Sequence, residues 1–73
     1  MNPQDIGKMI RTYRKESGLT QLRLAKMAGI GKSAVFDIEK GKETVQLDTV
    51  LKILDVLNIQ LQLKPPYEVR SSE

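Results

Sequence analysis

From residue 6 to residue 57 the apolar positions recur at helical intervals, and from residue 59 to residue 64 they alternate. Ile6, Met9, Ile10 and Tyr13 follow the i, i+3, i+4, i+7 rule of one helical stripe. Asn2 is placed to cap that helix, Pro3 to open it and Asp5 to sit in its first turn, while Ser17-Gly18 stops it. Thr20 is the next N-cap, with Leu19 and Leu24 at the two ends of a hydrophobic staple. The second helix turns Leu24, Ala25 and Ala28 inward and ends at Gly29. Only Ile30 and Gly31 then separate it from a third helix, about Lys32 to Lys40, whose inward positions are Val35 and Ile38.

Two short helices joined by a glycine-containing turn of three or four residues make a steep corner, and its commonest use is the DNA-binding helix-turn-helix. Ala25 suits such a corner, because helices that cross closely leave no room for a larger side chain. A fourth helix is expected from Leu47 to Leu57 with Gln46 at the capping position; seven of its eleven residues are apolar, more than one face of a small core needs. The surplus is either an interface or additional core. Asn58 breaks this helix, and Ile59-Gln60-Leu61-Gln62-Leu63-Lys64 then alternates as a half-buried strand does, until Pro65-Pro66 ends it.

No second strand is visible along the chain, and an isolated strand leaves its backbone groups unpaired. It pairs either with the same strand of a second copy across a two-fold axis, or it docks as an extended tail on its own helices. The expectation is the first. The fold class is all-α, a helix-turn-helix bundle of four helices plus a C-terminal strand pairing across a homodimer. The divisions expected are a helix-turn-helix domain over 1–58, a dimerisation strand over 59–65 and a polar, flexible tail over 66–73. Val50, Ile53, Leu57, Ile59, Leu61 and Leu63 are the candidate dimerisation residues.

Composition narrows the chemistry. The 73 residues contain neither Cys nor His. Disulfides, the usual zinc sites and the common nucleophile–base pairs are therefore out of reach, and no metal or cofactor is expected. There is no Gly-rich phosphate loop or carboxylate dyad either, so the chain reads as a non-enzyme. No run of about 18 apolar residues occurs, and the N-terminus has no charged-then-apolar signal pattern, so a soluble, cytoplasmic protein is expected.

The net charge of +3 is unevenly placed. Residues 8–42 carry nine Lys or Arg against three Asp or Glu, whereas residues 43–73 carry three against five. The basic part coincides with the corner, which makes it a candidate polyanion surface rather than a merely solubilised one. With Val35 and Ile38 inward, Lys32, Ser33, Phe36 and Asp37 point outward near the start of the third helix, where recognition helices touch base edges. Lys32 can donate to guanine or to a phosphate, and Ser33 to several partners. Phe36 can lie on a thymine methyl, contact a partner or tuck sideways. Asp37 can accept from cytosine or repel the backbone. Gln21, Lys40, Lys42 and Thr44 flank this helix as candidate contacts to the DNA backbone. Arg14 and Glu39 are expected to pair and set the tilt of the third helix. Leu22 stands where a helix usually shows a polar residue, and either covers the third helix or belongs to a protein contact.

Three stretches, "IRTYRKESGLTQ" (Ile10–Gln21), "LAKMAGI" (Leu24–Ile30) and "VFDIEKGK" (Val35–Lys42), resemble the helix-turn-helix domain of the Cro and phage-repressor type, the XRE family, of the lambda-repressor-like fold. The stretch "VQLDTVLKILDVLNIQLQLKPP" (Val45–Pro66) looks like the end of HipB-type antitoxins. That resemblance implies a dimer whose last strand pairs between subunits, which represses its own genes by binding operator DNA and associates with a HipA-type serine/threonine kinase toxin. The family's base-reading positions fall on Lys32, Ser33 and Asp37, with Phe36 adjacent. Its backbone contacts fall on Gln21, Lys40 and Lys42, and its Arg–Glu pair on Arg14 and Glu39. Gly31 stands where the family usually has a capping Ser or Thr, and Leu22-Arg23 where it usually has acidic residues. The alternatives are a stand-alone phage or chromosomal repressor without a toxin, and a protein-interaction module anchored by Phe36 and Leu22.

Overall fold

The computed structural model describes residues 1–67, and over them the chain forms four helices: α1 (Pro3–Glu16), α2 (Gln21–Ala28), α3 (Lys32–Glu39) and α4 (Leu47–Val56). The Asn2 and Thr20 caps read from the sequence are formed, whereas Gln46 takes the capping position of α4 without a side-chain bond. The Asp5 N–H donates to Asn2 Oδ1 at 2.9 Å and the Asn2 N–H to Asp5 Oδ2 at 3.4 Å, a reciprocal capping box that starts α1. Thr20 Oγ1 accepts the Arg23 N–H at 3.0 Å and starts α2. α3 begins on Gly31 and α4 on Gln46, neither with a side-chain cap.

All four helices stop in the same way. A left-handed residue follows each one (Gly18, Gly29, Gly41 and Asn58), and the N–H groups beyond turn back onto carbonyls of the last turn. At Asn58, φ is 58°, and the Ile59 N–H reaches the Leu54 carbonyl at 2.9 Å. Asn tolerates that conformation better than most non-glycine residues. The break after α4 is thus local in origin.

Ile10, Leu24, Ala25, Val35, Ile38, Ile53 and Leu54 form the buried core, one or two from every helix. α3 packs against both α1 and α2, and α4 packs against α2. Gly7 explains how α1 lies so close to the end of α3. A Cβ there would overlap the Ile38 carbonyl oxygen and stand 3.0 Å from that of Glu39. Gly41, itself buried, similarly meets Gln4 at the start of α1.

Four sequence expectations change. Tyr13 is 47% exposed and Arg14 is the buried residue, so the inward line of α1 runs through Gly7, Ile10 and Arg14, with Ile6 and Met9 only half-buried beside it. An arginine was hard to place inside because its partner lies far along the chain. Ile53, expected at a dimer surface, is fully buried in the core of the single chain. It has no surface left to offer a partner. The apolar surplus of α4 divides: Ile53 and Leu54 are core, while Leu47 and Leu51 remain exposed at 68% and 42%.

The fourth change concerns residues 59–65. Among the described residues there is no strand, because a ladder needs a second backbone and one copy supplies none. Ile59 is half-buried against the core, whereas Leu61 and Leu63 are exposed at 52% and 85%. The segment borders an apolar groove of about 420 Å³, whose other walls include Ile6, Met9, Leu47, Val50 and Leu54. The flexible tail expected over 66–73 lies, from residue 68 onward, outside the described residues. Among the described residues no helix is long and apolar enough to cross a membrane.

Candidate nucleic-acid interface

α2, the turn at Gly29–Gly31 and α3 form the corner expected of a helix-turn-helix. Ala25, 1% exposed, sits within it. Because Val35 and Ile38 anchor α3 to the core, the opposite side of this two-turn helix is committed to solvent. Lys32 and Ser33 are exposed there, and Phe36 is 47% exposed. Those three form the outward ridge anticipated from the sequence.

Asp37 differs. It is half-buried at the side of α3, and its Oδ2 lies 3.5 Å from Lys42 Nζ in an ion pair that leaves both side chains partly solvated. A pair this open contributes at most about 1 kcal/mol. It ties a candidate base-reading residue to a candidate backbone contact. Lys40, just past the end of α3, holds its Nζ 5.4 Å from the centre of the Phe36 ring, within cation–π range. Thr44 is exposed in the loop before α4.

Behind the ridge, Arg14 Nε and Nη2 donate to Glu39 Oε2 and Oε1 at 2.5 and 2.9 Å, and Arg14 Nη1 donates to the Leu19 carbonyl at 2.8 Å. Gln21 Nε2 donates to the same Glu39 Oε1 at 3.1 Å. The Arg14 and Glu39 side chains are only 9% and 4% exposed. The Glu39 carboxylate therefore joins the last residue of α3 to α1 and to the first residue of α2, and Arg14 extends the network to the α1–α2 loop. The hydrogen bond to Glu39 raises the Arg14 pKa above its ordinary value against the opposing effect of burial. For Glu39, burial acts to raise the pKa. The hydrogen bonds from Arg14 and Gln21, with the charges of Arg14 and Arg11, outweigh it, and the carboxyl titrates below the usual carboxylate range.

Gln21, anticipated as a backbone contact, is thus half-buried and engaged with Glu39. One of its two amide hydrogens is used there, which leaves the other for a ligand. The residue that the sequence reading passed over is Arg11. It lies three positions before Arg14 on α1 and lines a cleft with Gln21, Phe36, Glu39 and Lys40. Its place beside the Arg–Glu pair was the available signal, but the cleft exists only once α1 and α3 are packed.

The comparisons with known proteins agree with this geometry. Residues 10–64 match the family model described as Helix-turn-helix. The HTH-type transcriptional regulator y4mF of Sinorhizobium fredii is 41% identical over 68 residues, which is 93% of this chain and 90% of that protein. The immunity repressor protein of Bacillus phage phi105 is 36% identical over 56 residues, 77% of this chain but 39% of the repressor. In structure, the chain is similar to one in a HipA-HipB-O2-O3 complex, with a TM-score of 0.82 and 27% identity over 92% of this chain and 94% of that one. It is also similar to the restriction-modification controller protein C.AhdI from Aeromonas hydrophila, with a TM-score of 0.73 and 33% identity over 80% and 88%. A bundle of four helices, with a glycine-turned corner and an exposed outer ridge carrying Lys32, belongs with these proteins: the chain is a member of the helix-turn-helix family of XRE-type transcriptional regulators, and not an enzyme.

Proposed function

We propose that the protein is an operator-binding autorepressor of the HipB type, acting as a homodimer and associating with a HipA-type kinase toxin. The observation that carries the DNA-binding part is the ridge of α3, with Lys32, Ser33 and Phe36 exposed on a helix whose other side is locked into the core. Lys32 and Ser33 read base edges from the first turn, and Phe36 stands beside them. Asp37 acts at the edge of the ridge through its pair with Lys42. Gln21, Lys40, Lys42 and Thr44 meet the backbone, which fixes register without reading sequence. Arg14 and Glu39 hold the tilt of α3.

Dimerisation is supported by what the single chain leaves uncovered. Leu47, Leu51, Leu61 and Leu63 are exposed, and residues 59–65 have an apolar groove beside them; beyond the Ile59 N–H, which bonds back to Leu54, the segment has no backbone partner among the described residues. Pairing of the 59–65 strands across a two-fold axis satisfies both, with Val50, Leu57, Ile59, Leu61 and Leu63 in the contact. In this reading residues 1–58 are the DNA-binding part, and operator half-sites lie about one turn (~34–36 Å) or a multiple apart. The toxin association is supported by likeness to a chain in a complex with HipA. The equally evident likeness to a controller protein and a phage repressor favours, as a second reading, a stand-alone regulator.

Electrophoretic mobility shift and footprinting on the DNA upstream of the protein's own reading frame test the proposal. A roughly palindromic footprint that weakens steeply with salt is expected. Absence of any shift at low salt would remove the operator-binding reading. Co-purification with the neighbouring gene product separates the two readings, since a stand-alone regulator brings down no kinase.

A further inference from the structure

Five side chains from three elements close around one cleft: Arg11 of α1, Gln21 at the start of α2, and Phe36, Glu39 and Lys40 at the end of α3. It opens over about 300 Å³. We propose that this cleft seats a phosphate of the DNA backbone, with Arg11 as a direct ligand and Phe36 as the residue that positions Lys40 toward it. The inference rests on the DNA-binding reading above and adds a phosphate subsite and two residue roles to it.

Charge decides what the cleft accepts. Glu39 lies in its wall, but both its oxygens are taken up by Arg14 and Gln21, and Arg14 neutralises it. The cationic residues that remain in its lining are Arg11 and Lys40. Among the described residues neither forms an ion pair within 4.0 Å. Two unneutralised cations beside a spare amide hydrogen of Gln21 suit an oxyanion and repel a cation. The guanidinium presents a planar fork to phosphate oxygens, which an ammonium does not.

Phe36 has a part that its exposure alone does not suggest. With Lys40 Nζ 5.4 Å from its ring centre, the aromatic face restrains an otherwise flexible side chain in the wall of the cleft. An exposed aromatic at this position then acts through Lys40 on the backbone. A base-reading aromatic would act on one base pair.

A phosphate seat is independent of sequence, so a labelled duplex of mixed sequence, about 30 bp and long enough for two half-sites, is a sufficient probe. Binding is measured between about 50 and 200 mM salt for the wild-type chain, Arg11→Gln, Arg11→Lys, Phe36→Leu, Lys40→Ala and the Phe36→Leu/Lys40→Ala double variant. Lys52→Gln on α4, away from the cleft, is the control, and thermal unfolding checks that each variant is folded.

Arg11→Gln is expected to flatten the plot of log affinity against log salt by about 0.9 for each protomer bound, and Arg11→Lys to restore part of the slope. Lys40→Ala should cost less in the Phe36→Leu background than in the wild type. A folded Arg11→Gln variant that keeps the wild-type slope overturns the phosphate seat while leaving DNA binding standing. Additive effects of Phe36→Leu and Lys40→Ala overturn the positioning role. A wild-type chain with no salt-dependent affinity for the duplex overturns this inference together with the reading beneath it.

Discussion

Arg14 and Glu39, 25 positions apart, meet in a two-point ion pair whose side chains are 9% and 4% exposed. The pair spans from α1 to the last residue of α3, so the pose of the recognition helix depends on it. Removing either partner leaves a charge in a site that water hardly reaches. Arg14→Ala should lower the unfolding free energy by about 3–5 kcal/mol in a urea titration. A loss below about 1 kcal/mol, the range of an exposed pair, would mean that the bridge is ornamental.

The same pair makes stability depend on pH. Glu39 has its pKa lowered by folding, so its contribution is fully present above the unfolded value of about 4.3 and is lost as pH falls through the lower folded value. The wild-type protein should therefore lose stability on acidification below about pH 4.3, and Glu39→Gln should lose less over the same interval. Arg14 has its pKa raised by folding, so its linked contribution declines only at strongly alkaline pH. Parallel acid unfolding curves for the wild type and Glu39→Gln would exclude Glu39 as the titrating group.

Gly7 is inside a helix, where alanine is ordinarily better by about 1 kcal/mol. Here its missing Cβ is the space into which the Ile38 carbonyl fits. Gly7→Ala is expected to destabilise by about 1–3 kcal/mol, since the conflict is with backbone that cannot rotate away. Denaturant melts settle the sign, and a gain in stability would show that α1 shifts freely over α3.

Ser33 is exposed on the first turn of α3. Ser33→Ala should leave stability within about 0.5 kcal/mol. It should also relax preference at one operator position, read by binding to a set of single-base-pair variants. A loss shared evenly by every variant would reassign Ser33 to the backbone.

Leu61 is half-exposed and lies in the segment proposed to pair between two copies. Leu61→Glu is expected to leave helix content unchanged and to shift the mass measured by light scattering from dimer to monomer, because two carboxylates would face an apolar contact near the symmetry axis. A variant that stays dimeric would move the interface away from the 59–65 segment.

The caps at Asn2 and Thr20, the stops at Gly18, Gly29 and Asn58, and the inward Val35 and Ile38 were legible in the sequence because each is decided within a few residues. Capping hydrogen bonds span three positions, left-handed stops reflect a single residue, and helical periodicity is a property of one turn. From these the corner followed, and with it the outward placement of Lys32, Ser33 and Phe36. The segment carrying Leu61 and Leu63 shows the limit of this local reading. Alternation marks a strand-forming pattern, but a strand exists only with a backbone to pair with.

What tertiary structure alone decided are the relations between residues far apart in the chain. Tyr13 and Arg14 are neighbours, and either could have faced inward; Arg14 is buried because Glu39 of α3 waits there with a compensating charge. Ile53 could have served a dimer or the core, and the packing of α4 placed it wholly in the core. Arg11 reads as one more surface cation until α1 settles across the end of α3, a position open to it only because Gly7 has no side chain. Sequence determines the elements because their causes are short-range; the arrangement of charges into a site waits for packing, which brings together groups that no local pattern connects.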